Sequence, residues 1–228
     1  MLEFSIVATP IGNLGDITYR AVETLKEADF VLCEDTRKTK VLMNKYEIEK
    51  PLKAYHQQTG VAGIQKILEA MGKAEKVALV TDAGTPGISD PGNFLVEKAL
   101  KFFGDEIKII PIPGANAMSA LISVAGINTT RFTFLGFTPN KKGREKFFRE
   151  VLAFKHPVLY YESPYRLMKN LELLEKLFEE LGVSKRIILG RELTKIFEEI
   201  QRGEVVDIKK YYEDNQDKIK GEIVVLVY

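Results

Sequence analysis

Short, uninterrupted apolar runs recur along this chain, and segments of helical periodicity fill the gaps between them. Phe4 to Thr9, Phe30 to Cys33, Lys76 to Val80 and Ile107 to Ile110 each read as a strand with no polar face. A strand that is apolar on both sides must be covered on both sides, which is the situation of a parallel sheet wrapped by crossover helices. The intervening segments supply such helices. Thr18 to Ala28 carries Ala21, Val22 and Leu25 at helical spacing, with Thr18 placed to cap it. Thr36 to Tyr46, Thr59 to Met71, Gly92 to Phe103 and Ala115 to Val124 continue the rhythm. The pattern predicts an α/β protein with a largely parallel sheet.

A loop-like stretch, AGINTTR, suggests a linker near Gly126 to Arg131. Beyond it the alternation resumes. Phe132 to Gly136, Pro157 to Tyr161 and Arg186 to Gly190 read as strands, and Lys142 to Phe154 as a helix. Ser163-Pro164 reads as an N-cap with proline at the first helical position, opening a helix to about Leu181. The chain ends on EIVVLVY, a further buried strand. Two α/β domains of similar size are expected, residues 1–126 and 127–228.

Several function classes drop out early. No apolar run is long enough to cross a bilayer. The segment MLEFSIVATPIGN lacks the basic start of a signal peptide, so a cytoplasmic protein is expected. Cys33 is the only cysteine and sits in an apolar run, where it reads as a small core residue. His56 and His156 are far apart, and no Cys/His cluster offers a metal site. The formal net charge is +1, which gives no global electrostatic footprint for nucleic acid, so any RNA contact must come from a local patch or from a groove shared by two subunits.

The informative residues lie in loops that follow strands, where open α/β sheets bind ligands. Three stand out: ATPIGNLGD (Ala8 to Asp16), TDAGTPGISDPG (Thr81 to Gly92) and PIPGANA (Pro111 to Ala117). Gly12 and Gly15, with Glu34 some way on, invite a dinucleotide reading, but the G-x-G-x-x-G spacing is missing. A P-loop and a G-x-S-x-G elbow are missing as well. The middle loop is far richer in Gly and Pro than a plain strand-to-helix connection requires.

Taken in order, VATPIGNLGDIT (Val7 to Thr18), EDTRKT (Glu34 to Thr39), DAGTPGISDPG (Asp82 to Gly92), YYESPYR (Tyr160 to Arg166), RELTK (Arg191 to Lys195) and KGE (Lys220 to Glu222) resemble the ribosomal RNA small-subunit methyltransferase I family. That family is a branch of the tetrapyrrole methylases, and the resemblance runs along essentially the whole chain. It implies two α/β domains with S-adenosylmethionine (SAM) in the cleft between them, in a homodimer. It also implies 2′-O-methylation of a cytidine in the 16S RNA of the small ribosomal subunit, near the decoding centre. By motif, Pro10, Ala83, Gly84, Thr85, Ile88, Asn116, Ala117, Tyr161 and Leu193 are its expected SAM contacts. Family members often carry His where Tyr165 stands and Ser where Thr81 stands. Many also carry a C-terminal helical extension, so RNA is expected to be gripped elsewhere here.

A ribose hydroxyl is a weak nucleophile, and its proton must leave during or after attack on a methyl group. Glu34, Asp35 and Arg37 after the second strand, Glu162, and Arg191, Glu192 and Lys195 in RELTK are the candidate catalytic residues. Each has a plainer reading as an ion pair or cap, the Glu34–Arg37 cluster as a cap on the Thr36 helix. The run from Lys141 to Lys155 holds Lys141, Lys142, Arg144, Lys146, Arg149 and Lys155 against Glu145 and Glu150, a local excess of the kind phosphates attract. Phe147 and Phe148 within it read as core. Methylation of a small tetrapyrrole and a SAM-binding module without turnover remain as alternatives.

Overall fold

The computed structural model describes residues 1–228, which divide into two units, 1–116 and 117–228. In the first, five strands form one sheet in the order β3-β2-β4-β1-β5: β1 Leu2–Val7, β2 Phe30–Cys33, β3 Leu52–Ala54, β4 Lys76–Leu79 and β5 Ile107–Ile112. Every pairing is parallel, as the apolar runs predict.

Alternate strand residues feed two separate cores. Phe4, Leu32, Val77 and Leu79 pack with α3 (Val61–Met71) and α4 (Gly92–Phe103) through Ile64, Met71, Leu95 and Ala99. Val7, Val31, Cys33 and Ala78 pack on the other face with α1 (Tyr19–Glu27) and α2 (Thr36–Lys45) through Ala21, Leu25 and Met43. Thr18 caps α1 as expected, its Oγ1 accepting the Ala21 N–H at 3.1 Å. Cys33 is fully buried in this core, and burial raises its thiol pKa. The short β3 is not legible in the sequence, because Leu52-Lys53-Ala54 at a sheet edge has only one apolar side to show.

The second unit is built differently. Its sheet runs β6-β7-β10-β8-β9, from Thr133–Phe137, Val158–Glu162, Ile223–Val227, Ile187–Arg191 and Glu199–Gly203 respectively. Only β6 and β7 pair in parallel, while β10 runs antiparallel to both β7 and β8, and β9 antiparallel to β8. The largely parallel sheet inferred from the alternation thus holds for the first unit and not for the second. Here α6 (Arg144–Ala153), α7 (Leu167–Leu181) and α8 (Val205–Asp214) share one core with Tyr160, Leu189 and Val225. Phe148 lies in that core and Phe147 packs against it, as their spacing predicts.

Two boundaries shift for local reasons. The units divide ahead of the expected Gly126 linker, because α5 (Ala117–Ser123) belongs to the second unit: Leu121 lies against Gly190, where an added Cβ would come within 2.9 Å of it. Ser163-Pro164 also does not open α7. Residues 164–166 form a turn in which Arg166 and Leu167 both donate to Ser163 O, and the helix begins at Leu167. No helix is long and apolar enough to cross a membrane.

Candidate active site

Because β1, β2, β4 and β5 are parallel, the loops after them open on one edge of the first sheet. The structure stitches these loops together. Thr9 N–H donates to Gly84 O at 2.9 Å and Gly84 N–H returns to Thr9 O at 3.1 Å, a small antiparallel bridge. Thr9 Oγ1 donates to Thr81 O at 3.2 Å, and Thr85 Oγ1 to Ala115 O, also at 3.2 Å. Gly114 lies so close to Ala8 that an added Cβ would come within 2.9 Å of the Ala8 Cβ. All three glycine loops therefore form one body.

Gly84 sits at φ +84°, a conformation that only glycine adopts without strain. Beyond it, both Asp90 carboxylate oxygens accept the Gly87 N–H and Oδ1 also accepts the Gly92 N–H, which closes the loop on itself. Of the expected SAM contacts in this unit, Pro10, Gly84 and Asn116 are buried, Thr85 and Ile88 half-buried and Ala83 exposed. A small depression on the same edge is lined by Thr9, Pro10, Leu14, Lys38, Thr39, Val41, Leu42, Thr81 and Asp82.

The acidic cluster after β2 joins this edge. The Thr81 hydroxyl donates to Glu34 Oε1. Asp82 Oδ1 accepts the Asp35 N–H at 3.0 Å, and its Oδ2 takes Lys38 Nζ at 2.7 Å. Asp35 itself caps α2: its Oδ1 accepts the Arg37 N–H at 2.9 Å, while the Arg37 guanidinium grips both oxygens at 3.1 and 2.8 Å. That guanidinium holds the Asp35 carboxyl far below the usual carboxylate range. Asp35 and Arg37 thus satisfy each other at the helix start, the plainer of the two readings for that pair. Glu34 is the member of the cluster that takes no part in the cap.

In the second unit, β6, β7 and β8 all end on the edge where β10 begins, so the remaining candidates share that edge. Glu162 is 3% exposed. Its Oε1 accepts the Thr138 hydroxyl at 2.8 Å and the Ser163 N–H at 2.6 Å, and its Oε2 accepts Asn170 Nδ2 at 2.6 Å. Arg166 Nε stands 3.4 Å from Oε1. Arg191 is equally buried: its Nη2 donates to Phe197 O at 3.1 Å and lies 3.5 Å from Glu199 Oε2, while Nε and Nη1 have no hydrogen-bond partner.

Glu192 and Lys195 form a second knot. Lys195 Nζ donates to Glu192 Oε1 at 2.7 Å and to Glu222 Oε2 at 3.1 Å, and Glu192 Oε1 also accepts the Glu222 N–H. Burial pushes the Glu192 carboxyl up, but Lys195 and the Glu222 amide outweigh it and hold the group below its ordinary value. RELTK and KGE are therefore one structure, closed around Gly221, which at φ +82° leaves room for the Glu192 side chain alone. Tyr161 lies on β7 with its ring 4.9 Å from Phe134 and 5.2 Å from Phe137, and Leu193 is buried against Gly190. Ala117 opens α5.

Comparison with known proteins gives the family and the fold. The family model for tetrapyrrole (corrin/porphyrin) methylases matches residues 3–209. A ribosomal RNA small subunit methyltransferase I from Mesorhizobium japonicum is 43% identical over 223 residues, 97% of this chain and 74% of that protein. The protein of the same name from Thermotoga maritima is 39% identical over 222 residues, 97% of this chain and 96% of its own. The chain belongs to the ribosomal RNA small subunit methyltransferase I family, within the tetrapyrrole methylases. The crystal structure of diphthine synthase shares the fold, with a TM-score of 0.76 at 15% identity over 99% of this chain and 89% of that one.

Within this methylase fold, sequence reasoning passed over the residues that hold the candidates in place. Thr81, Asp82 and Asp90 organise the first edge, and Thr138, Asn170 and Gly221 the second. Asp82 and Asp90 lie inside the quoted DAGTPGISDPG motif, so the signal was present. Thr138 and Asn170 carry no local pattern that sets them apart. His56 is exposed, and His156 packs on Phe154 and bonds Thr133 Oγ1 at 2.8 Å, so neither joins a candidate site.

Proposed function

We propose that this protein transfers the methyl group of SAM to the ribose 2′-oxygen of a cytidine in small-subunit ribosomal RNA. The observation that carries the reading is similarity along 97% of this chain to ribosomal RNA small subunit methyltransferase I proteins, combined with glycine loops that one sheet edge joins into a single body. Pro10, Ala83, Gly84, Thr85, Ile88 and Asn116 are the proposed cofactor contacts. SAM, when bound, supplies a methyl group already activated on a sulfonium.

The protein then has to position an acceptor oxygen and take its proton. Correct placement near 3 Å and in line contributes about 7–11 kcal/mol to such reactions. Glu34 is our candidate for the proton: Thr81 fixes its Oε1 and so orients the carboxylate, while Asp35 and Arg37 are occupied with each other. The buried Glu162 and Arg191 act as positioning residues for the loops that follow β7 and β8. We further propose a cytoplasmic homodimer, which light scattering at micromolar concentration would test.

The decisive experiment is labelled methyl transfer from SAM to purified small subunits that lack the modification, followed by nucleoside analysis. Label in 2′-O-methylcytidine is the expected result. Label on a porphyrinoid instead, or SAM binding without turnover on subunits, would overturn the reading. Glu34→Gln should keep SAM affinity and lower transfer at least about tenfold, or about 1.4 kcal/mol.

A further inference from the structure

Four cations of the second unit, Lys141, Lys142, Arg144 and Lys146, fall within six residues. Elsewhere several cations are tied to carboxylates. Lys76 pairs with Glu27, Lys101 with Glu97 and Lys209 with Glu175. On α6, Arg149 is held by both Glu145 and Glu180. Lys141, Lys142, Arg144 and Lys146 enter none of these pairs, and Arg149 has already taken the one carboxylate among them, Glu145. Lys141, Lys142 and Lys146 are exposed, and Arg144 is half-buried. A protein whose net charge is only +1 therefore concentrates unneutralised positive charge on one loop and the helix start that follows it.

A second feature adjoins this loop. β6 and β7 are parallel, so residues 138–143 and the turn 164–166 leave the same edge of the sheet. The two are tied directly, since Arg166 Nη1 donates to Asn140 Oδ1. Arg166 is in turn anchored beside the buried Glu162 carboxylate. Its neighbour in the turn, Tyr165, is 93% exposed and presents nearly its whole ring to solvent. A large ring held in the open on an anchored turn, next to unpaired cations, matches how proteins take unpaired RNA. Cations track the phosphates and an aromatic face stacks a base.

We infer that residues 141–146 and Tyr165 form a docking surface for a single-stranded segment of RNA, with Lys141, Lys142, Arg144 and Lys146 on phosphates and Tyr165 under an unstacked base. This rests on the proposed RNA substrate and adds where that substrate is held. Phosphate contacts of this kind orient a strand without reading its sequence.

The test uses the full chain and a fluorescent mixed-sequence oligoribonucleotide of 20 nucleotides, titrated over a series of KCl concentrations. For the variant carrying Lys141→Ala, Lys142→Ala, Arg144→Ala and Lys146→Ala, the slope of log K against log salt should shrink by roughly 2–3, about 0.7 per lost cation. Tyr165→Ala should weaken binding about fivefold or more and leave the slope unchanged, because stacking releases no counterions. Lys66→Ala with Lys73→Ala, exposed cations of the first unit, should change neither. The single reversal Lys142→Glu repeats the test with the least burden on folding.

An unchanged slope in the quadruple and the reversal variants would overturn the inference. So would a Tyr165→Ala variant that binds normally while poly-glutamate binds with the same four-cation dependence, a result that assigns the surface to an acidic protein. The proposed function can fail separately. Wild-type protein that binds the oligoribonucleotide in this manner but transfers no methyl group to subunits would refute the activity and leave the surface standing.

Discussion

Removing the Glu162 carboxylate should cost stability far more than chemistry. Glu162→Ala leaves the Thr138 hydroxyl, the Ser163 N–H and the Asn170 amide without their acceptor, all at a site that is 3% exposed, and strips Arg166 of its buried counter-charge. An unsatisfied buried donor costs about 1–3 kcal/mol, and breaking one side of a buried ion pair costs about 3–5 kcal/mol. These losses overlap, because they concern one carboxylate, so a total of about 3–5 kcal/mol is expected. At roughly 2–4 °C per kcal/mol for a chain of this size, Tm should fall by about 6–20 °C. Glu162→Gln is the sharper variant. Its carbonyl can keep the Thr138 and Ser163 bonds, and its new N–H group would face Asn170. Asn170 Oδ1 has no partner at present, so a flip of that amide restores a donor–acceptor match. The expected cost is about 1–2 kcal/mol, with methyl transfer per folded molecule within about threefold of the parent. Urea unfolding and single-turnover transfer measure the two quantities on the same preparations. A Glu162→Gln protein with the parent's Tm and transfer reduced a hundredfold would show that the carboxylate meets the reacting atoms, and the positioning role would be wrong.

Gly84→Ala should cost about 1–2 kcal/mol in backbone strain, since the added Cβ finds ordinary contacts at 3.4 and 3.6 Å but φ is +84°; calorimetry should show SAM affinity reduced at least about tenfold, and parent-like affinity would remove Gly84 from the cofactor site. Asp35→Ala should lower Tm by a few degrees through loss of the α2 cap while leaving SAM affinity unchanged, and a native Tm with transfer abolished would return Asp35 to the chemistry. The depressed Glu192 carboxyl contributes stability in full above the unfolded value of about 4.3 and loses it as pH falls through its lower folded value, so Glu192→Gln should flatten the acid side of a Tm–pH profile. An acid limb unchanged by that substitution would refute the assignment. Gly221→Ala should mimic the loss of that knot at neutral pH, because its Cβ would overlap the Glu192 carboxylate, and a parent-like Tm would show that the RELTK and KGE segments do not depend on each other.

Most of the first unit is legible in local pattern. Runs such as Phe30–Cys33 are apolar on both faces, and that demand can be met only inside a sheet covered on both sides, so the strands and the helices that cover them follow from local pattern. The glycine loops were legible for a related reason: a left-handed backbone at Gly84 calls for its residue type at that position whatever surrounds it. The remainder depends on contacts between distant segments. The direction of β10 and β9 relative to β8 leaves no trace in an apolar run, because a buried strand looks the same whether its neighbour runs with it or against it. The roles of charged residues were equally hidden. EDTR reads as one cluster in sequence, yet folding spends Asp35 and Arg37 on a helix cap and gives Glu34 to the Thr81 hydroxyl from another strand's loop. Glu162 looks like a loop carboxylate until Thr138 and Asn170, 24 and 8 residues away, close over it. Charge and hydrogen-bond partners act at about 3 Å in space, and the pattern of a single chain records only neighbours in order.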